Sequence, residues 1–179
     1  MAIFTGRIKA GFENVQYLRT GATVDYASPV DRSSPVFSRD ITGLAALTSA
    51  DVFFRREFVI ASNASITIDL NGTGNEDTFG DGLNMVTMVC LMVINAPVDD
   101  GAAANTTNLT VGAGSNPVVG YKAGTTPTEV IRPGGVYLVA NISAGGVATV
   151  TAGTADIITI ANASGASAKM QICVMGRSA

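Results

Sequence analysis

Beyond residue 57 the chain reads as short apolar runs divided by Gly, Asn, Thr and Ser. Val, Ile and Thr suit a pleated surface, while Gly and Asn supply turn conformations, so the pattern is one of strands and turns. Residues 65–70 (SITIDL) alternate Ile66, Ile68 and Leu70 with Thr67 and Asp69, the period of a strand with one face in water. Residues 85–94 (MVTMVCLMVI) are apolar on both alternating faces, which predicts a central strand covered on each side. Further strands are predicted at 58–61, 108–111, 118–121, 129–131, 136–140, 148–151, 157–161 and 170–175. Turns at 112–117, 132–135, 143–146, 152–154 and 162–167 divide them. Strand starts at this spacing predict an all-β fold, an antiparallel β-sandwich or jelly roll.

The front of the chain has a different grammar. Residues 1–57 show no sustained period, and Pro29 and Pro35 punctuate alternating charges. Proline fixes its own φ and biases its predecessor to extended backbone, so residues 26–37 are expected to run extended. Residues 40–52 (DITGLAALTSADV) have the makings of one or two helical turns, with Asp40 as a cap and Leu44 and Leu47 on one face. Residues 71–82 (NGTGNEDTFGDG) read as an acidic, Gly-rich loop anchored by Phe79. The expected organisation is an extended N-terminal arm and connecting segment over 1–57, followed by a sandwich domain over 58–179.

Composition narrows the function classes. A length of 179 residues is enough for one well-filled core, and the apolar fraction of 47% excludes a disordered chain. The formal net charge of −3 gives no general attraction for a polyanion, so nucleic acid is not an expected partner. Charge is unevenly spread: seven basic and six acidic residues fall within 1–60, against four basic and eight acidic beyond. Two regions with different neighbours are implied. The first residues lack the apolar core of a signal peptide, and the longest apolar run is about half of the ~20 residues a spanning helix needs. The chain therefore reads as soluble, made in a cytoplasm, with no membrane partner. Cys90 and Cys173 lie in apolar stretches and read as small buried hydrophobes, with a disulfide left open. Six Asn-x-Ser/Thr tripeptides, at Asn63, Asn71, Asn105, Asn108, Asn141 and Asn162, are explained by the abundance of these residues.

Catalytic chemistry is sparse. The sequence has no His, and a Ser or Cys nucleophile would have only Lys122 or Lys169 as a nearby base in the strand region. The glycine pairs Gly72/Gly74 and Gly112/Gly114 do not complete a dinucleotide loop and read as turns. Asp69, Glu76, Asp77 and Asp81 are the one carboxylate group to weigh for Ca²⁺, but their spacing is not that of an EF-hand loop. No catalytic residue, cofactor or metal is expected. Phe53, Phe54, Arg55 and Arg56 form the densest aromatic and basic cluster. One reading packs Phe53 and Phe58 under the sandwich with the arginines in solvent; the other makes the cluster an interface anchor.

Several stretches carry a resemblance: ITIDL (66–70), DTFGD (77–81) ahead of a long apolar strand ending VIN (93–95), NLTVGAGSNP (108–117), IRPGGVYLVA (131–140) and TAGTADIITIANASGA (151–166). Together they resemble the jelly-roll structural modules of tailed-bacteriophage virions, especially capsid decoration (cement) proteins. The resemblance implies a non-enzymatic virion protein on the outer capsid surface, bound to the major capsid protein as a homotrimer. It gives the arm the task of reaching across subunits or swapping between them. Arg7, Tyr17, Arg19, Tyr26 and Arg32 in the arm, with Phe53, Phe54, Arg55 and Arg56, are then the expected interface residues. Two alternatives stand beside this. One is a self-assembling jelly-roll shell protein, disfavoured by an arm whose charges nearly cancel. The other is a glycan-binding tail or fibre module that uses the loops at 75–81 and 103–108.

Overall fold

Where β-branched and apolar residues alternate or run continuously, the backbone pairs as strands, and every pairing between strands is antiparallel. A computed structural model describes residues 6–11, 36–41, 50–77, 80–99, 102–112, 114–125, 127–163 and 165–178. Among the described residues there are thirteen strands and no helix. They are β1 (Gly6–Gly11), β2 (Val36–Ile41), β3 (Val52–Ile60), β4 (Ala64–Asp69), β5 (Asn71–Glu76), β6 (Gly82–Asn84) and β7 (Thr87–Ile94). Then follow β8 (Leu109–Gly112), β9 (Thr128–Ile131), β10 (Val136–Ala140), β11 (Ala148–Thr149), β12 (Ile157–Asn162) and β13 (Ala168–Arg177).

Two sheets make the body. One runs β10-β7-β13-β3, with β11 also paired to β7, and the other runs β4-β12-β8-β9. Their facing side chains share one core: Phe54, Leu91, Val93, Met170, Ile172 and Val174 from the first, and Ile68, Leu109, Val111, Ile131, Ile158 and Ile160 from the second. The molecule is an antiparallel β-sandwich. β5 and β6 form a small separate ribbon, and β1 and β2 form another.

The chain crosses between the sheets at one corner, where the turn after β3 lies beside the turn after β12. Asn63 adopts φ 54° in the first turn, a conformation Asn tolerates better than most side chains. Asn162, buried at the end of β12, donates from Nδ2 to the carbonyls of Ile60 (3.1 Å), Ala61 (3.3 Å) and Ala166 (2.7 Å). A single amide thus bonds carbonyls on both crossovers; the buried bond to Ile60 is the one whose loss would strand a carbonyl, at a cost of about 1–3 kcal/mol, since Ala61 also accepts from the N–H of Ala64. Asn95, directly after β7, plays a similar part. Its Nδ2 donates to the carbonyls of Thr107 and Ile131, and its Oδ1 accepts from Asn105, which in turn bonds both the N–H and the C=O of Lys169.

Several expectations change. The sheet begins at Val52, so Phe53–Arg56, expected in a connecting segment, lie inside a nine-residue strand. Asp40 and Ile41 end β2 and so cannot start a helix, while residues 42–49 of that expected helix lie outside the described residues. Residues 71–82, expected as a loop, include β5 and lead into β6, because the tip at Asp77–Asp81 turns the backbone on itself. Residues 118–121 are not a strand. Pro117 makes a single bridge to Ile157, and Gly120, with φ 110°, turns the chain so that Tyr121 enters the core.

Candidate interaction surface

β3 is the outermost strand of its sheet: β13 pairs with it on one side, and among the described residues no strand lies on the other. Such an edge offers a row of backbone donors and acceptors to another chain. Its side chains alternate in direction. Val52, Phe54, Phe58 and Ile60 turn towards the core, whereas Phe53, Arg55, Glu57 and Val59 stand on the outward face, opposite Met175, Cys173, Gln171 and Lys169 of β13.

Arg56 falls at an inward position yet is exposed, because the core ends at this rim. Its guanidinium lies 5.6 Å from the Phe54 ring centroid and 5.9 Å from that of Phe58, a cation–π arrangement that closes the open side of the core. Phe54 and Phe58 therefore pack under the sandwich, and Phe53 instead takes the outward face. Glu57 accepts from the backbone N–H of Val98 through Oε2 (3.1 Å), and Gln171 donates to the carbonyls of Ala96 (3.3 Å) and Pro97 (3.1 Å). These bonds hold the loop after β7 beside the edge. A hollow of about 310 Å³ results, lined by Arg55, Arg56, Glu57, Val98 and Gln171. Val59 is 62% exposed and Val98 48%, so apolar surface and charge are mixed here.

Of the other expected contact residues, Arg7 lies on β1 in register with Asp40 of β2. Tyr17, Arg19, Tyr26 and Arg32 lie outside the described residues. The acidic group divides among turns. Asp69 Oδ1 accepts from the N–H of Asn71, and Asp77 Oδ1 accepts from the N–H of Asp81 (both 2.9 Å). A second hollow of about 220 Å³ brings Asp77 and Asp81 near Asp51, whose carboxylate is held by the N–H and hydroxyl of Ser178. Among the described residues no three Cys, Asp or Glu side chains converge as a metal cluster.

Among the described residues, the two thiols and Lys122 offer no primed chemistry. Cys90 and Cys173 are free thiols; burial pushes the first up to about 12 and the second to about 11, the opposite of a primed nucleophile. Lys122 is spent on Glu129 (2.5 Å) and the carbonyl of Thr128. Sequence reasoning missed Arg177, whose guanidinium donates to the carbonyls of Ile142, Ser143 and Ala144, and whose pKa burial lowers. It also missed the ties made by Asn95, Asn105 and Asn162. Their only trace in the sequence is an Asn closing or following a strand, as Asn162 and Asn95 do; Asn105, in the loop before β8, lacks even that. No protein-family model, curated protein or solved structure matches the chain.

Proposed function

We propose that the chain is a non-enzymatic virion structural protein that binds and stabilises the outer surface of a capsid as a decoration protein. Its partners in this reading are the major capsid protein and further copies of itself. It is made in the host cytoplasm and ends on the capsid surface, with the jelly-roll form of the sandwich as its scaffold.

One observation carries the reading: among the described residues, three of the six buried polar side chains, Asn95, Asn162 and Arg177, donate to backbone carbonyls. They hold chain segments to one another instead of converging on an open cavity. A polar interior spent in this way builds a rigid block. Phe53, Arg55 and Arg56 lie together on β3 at or near the surface, residue types favoured at protein interfaces.

The test is co-sedimentation of the full chain with shells of tailed-phage major capsid protein that lack a decoration layer. Saturable binding at a fixed ratio to the capsid subunit, with a higher shell melting temperature, is the expected result. A chain that leaves the shells bare and their melting unchanged would sink the proposal.

A further inference from the structure

The β3 edge has an internal symmetry in its sequence. Around Arg56 the strand reads Val52-Phe53-Phe54-Arg55, then Glu57-Phe58-Val59-Ile60. Reversing the strand about this residue places Arg55 against Glu57, Phe54 against Phe58, Phe53 against Val59 and Val52 against Ile60. Every matched pair has the same direction in the sheet, since Arg55 and Glu57 both stand outward and Phe54 and Phe58 both turn inward. An antiparallel partner with this register is another copy of the same strand.

We propose that two copies of the chain pair β3 to β3 across a twofold axis at Arg56. The sheet β10-β7-β13-β3 then continues into β3-β13-β7-β10 of the second copy, and both open edges disappear. Residues 53–59 give about 23 Å of ladder, bounded by Val52, which borders the β5–β6 ribbon, and by Ile60, whose carbonyl already accepts from Asn162. An isologous contact needs a self-complementary patch, and the strand supplies one. Two Arg55–Glu57 pairs form on the outward face, where opposite charges directly across strands are favourable. Among the described residues Arg55 takes part in no ion pair, and one oxygen of Glu57 suffices for the Val98 N–H, so both charges are available. Val59, exposed in the single chain, is covered by its partner. The cost is at the axis, where the two Arg56 side chains meet. Each is already drawn over its own Phe54 and Phe58 rings, which spreads the charges along the rim.

This pairing does not rest on the capsid reading, because it is a property of the free chain. It predicts twofold association, in contrast to the threefold assembly that the resemblance implies. The experiment is sedimentation equilibrium of the full chain and four variants, with thermal unfolding as the control for folding. Wild type is expected as a dimer. Arg55→Glu and Glu57→Arg each place like charges across the pair twice and are expected to weaken it about tenfold or more. The combined exchange R55E/E57R restores opposite charges and returns the affinity to within about threefold of wild type. Arg56→Gln removes the repulsion at the axis and tightens the dimer. A wild-type chain that stays monomeric, a trimer insensitive to Arg55→Glu, or a folded R55E/E57R variant no stronger than its single parents would each overturn the proposal.

Discussion

The two sheets of the sandwich use the same inward chemistry and opposite outward chemistry. In the four-stranded sheet, β4 turns Ile66 and Ile68 to the core and leaves Ser65 and Thr67 exposed. In the five-stranded sheet the outward positions are Cys90, Met92 and Ile94 on β7, Cys173 and Met175 on β13, and Leu138 and Ala140 on β10. Cys90 is only 2% exposed although it points away from the shared core, and it packs with Ala50, Leu138, Ala140 and Met175. The four-stranded sheet is wet along β4, whereas the five-stranded sheet carries a dry patch around Cys90 that gives way to exposed Arg55, Glu57 and Val59 at its β3 edge. Strands buried on both faces lose their alternation, because neither parity is reserved for water.

The largest expected effect comes from placing the same charge on the two outward faces. Cys90 lies between Ala140 of β10 and Met175 of β13, so Cys90→Asp puts a carboxylate among apolar groups with no partner. It should lower unfolding free energy by about 3 kcal/mol or more. Thr67→Asp, at an exposed position of β4, should cost less than about 0.5 kcal/mol. Urea unfolding of both variants measures the difference. Equal costs would mean that the two outward faces are alike after all.

A smaller effect asks whether the sheets, so different outside, unfold as one unit. Asn162→Ala removes the donor that holds Ile60 at the crossover corner, together with its bonds to Ala61 and Ala166, with an expected loss of about 1–2 kcal/mol. Far-ultraviolet circular dichroism reports the strands, and tyrosine fluorescence, in a background with Tyr17 and Tyr26 replaced by Phe, reports Tyr121 and Tyr137, which meet edge to face at 6.3 Å. Both signals should shift together in the variant. Separate transitions would show that the amide joins two halves with independent stability.

The contrast between the sheets was largely legible in the sequence. The alternation of residues 65–70 against the unbroken run of 85–94 states it, and both strands lie where that pattern predicts. β3 was read too short because Arg55, Arg56 and Glu57 interrupt its apolar positions. An edge strand at the rim of a core has one inward position that reaches solvent, and there a charge is tolerated. β5 was hidden by its Gly and Asn content, which signals turns equally well. The amide ties were not legible at all. Asn162 and Ile60 are about a hundred positions apart, and only the sheet topology that brings their ends together gives the amide its carbonyls. The interface cluster was visible as composition, while its division into inward and outward members needed the register with β13.

The smallest expected effect is a titration that reads the dry outward face directly. The Cys90 thiol is pushed from its ordinary 9.0 to about 12 by burial and, secondarily, by Cys173. The Cys173 thiol is pushed to about 11 by burial, with Arg55 pulling it part of the way back. In both cases the fold holds the neutral thiol, whereas the unfolded chain releases its proton first as pH rises. The unfolded state then binds fewer protons, so stability is complete below about pH 9 and falls as pH climbs through the folded values. The slope per thiol cannot exceed about 1.4 kcal/mol per pH unit, so a loss on the order of 1 kcal/mol per thiol is expected between about pH 9 and about pH 10. Urea unfolding in reducing buffer at several pH values measures it, with Cys90→Ala as the reference that lacks one titrating group. Wild-type and C90A curves should run parallel at neutral pH and converge in the alkaline range. If they stay parallel throughout, Cys90 is as open to water as an outward residue on the four-stranded sheet, and the contrast between the two faces fails at its driest point.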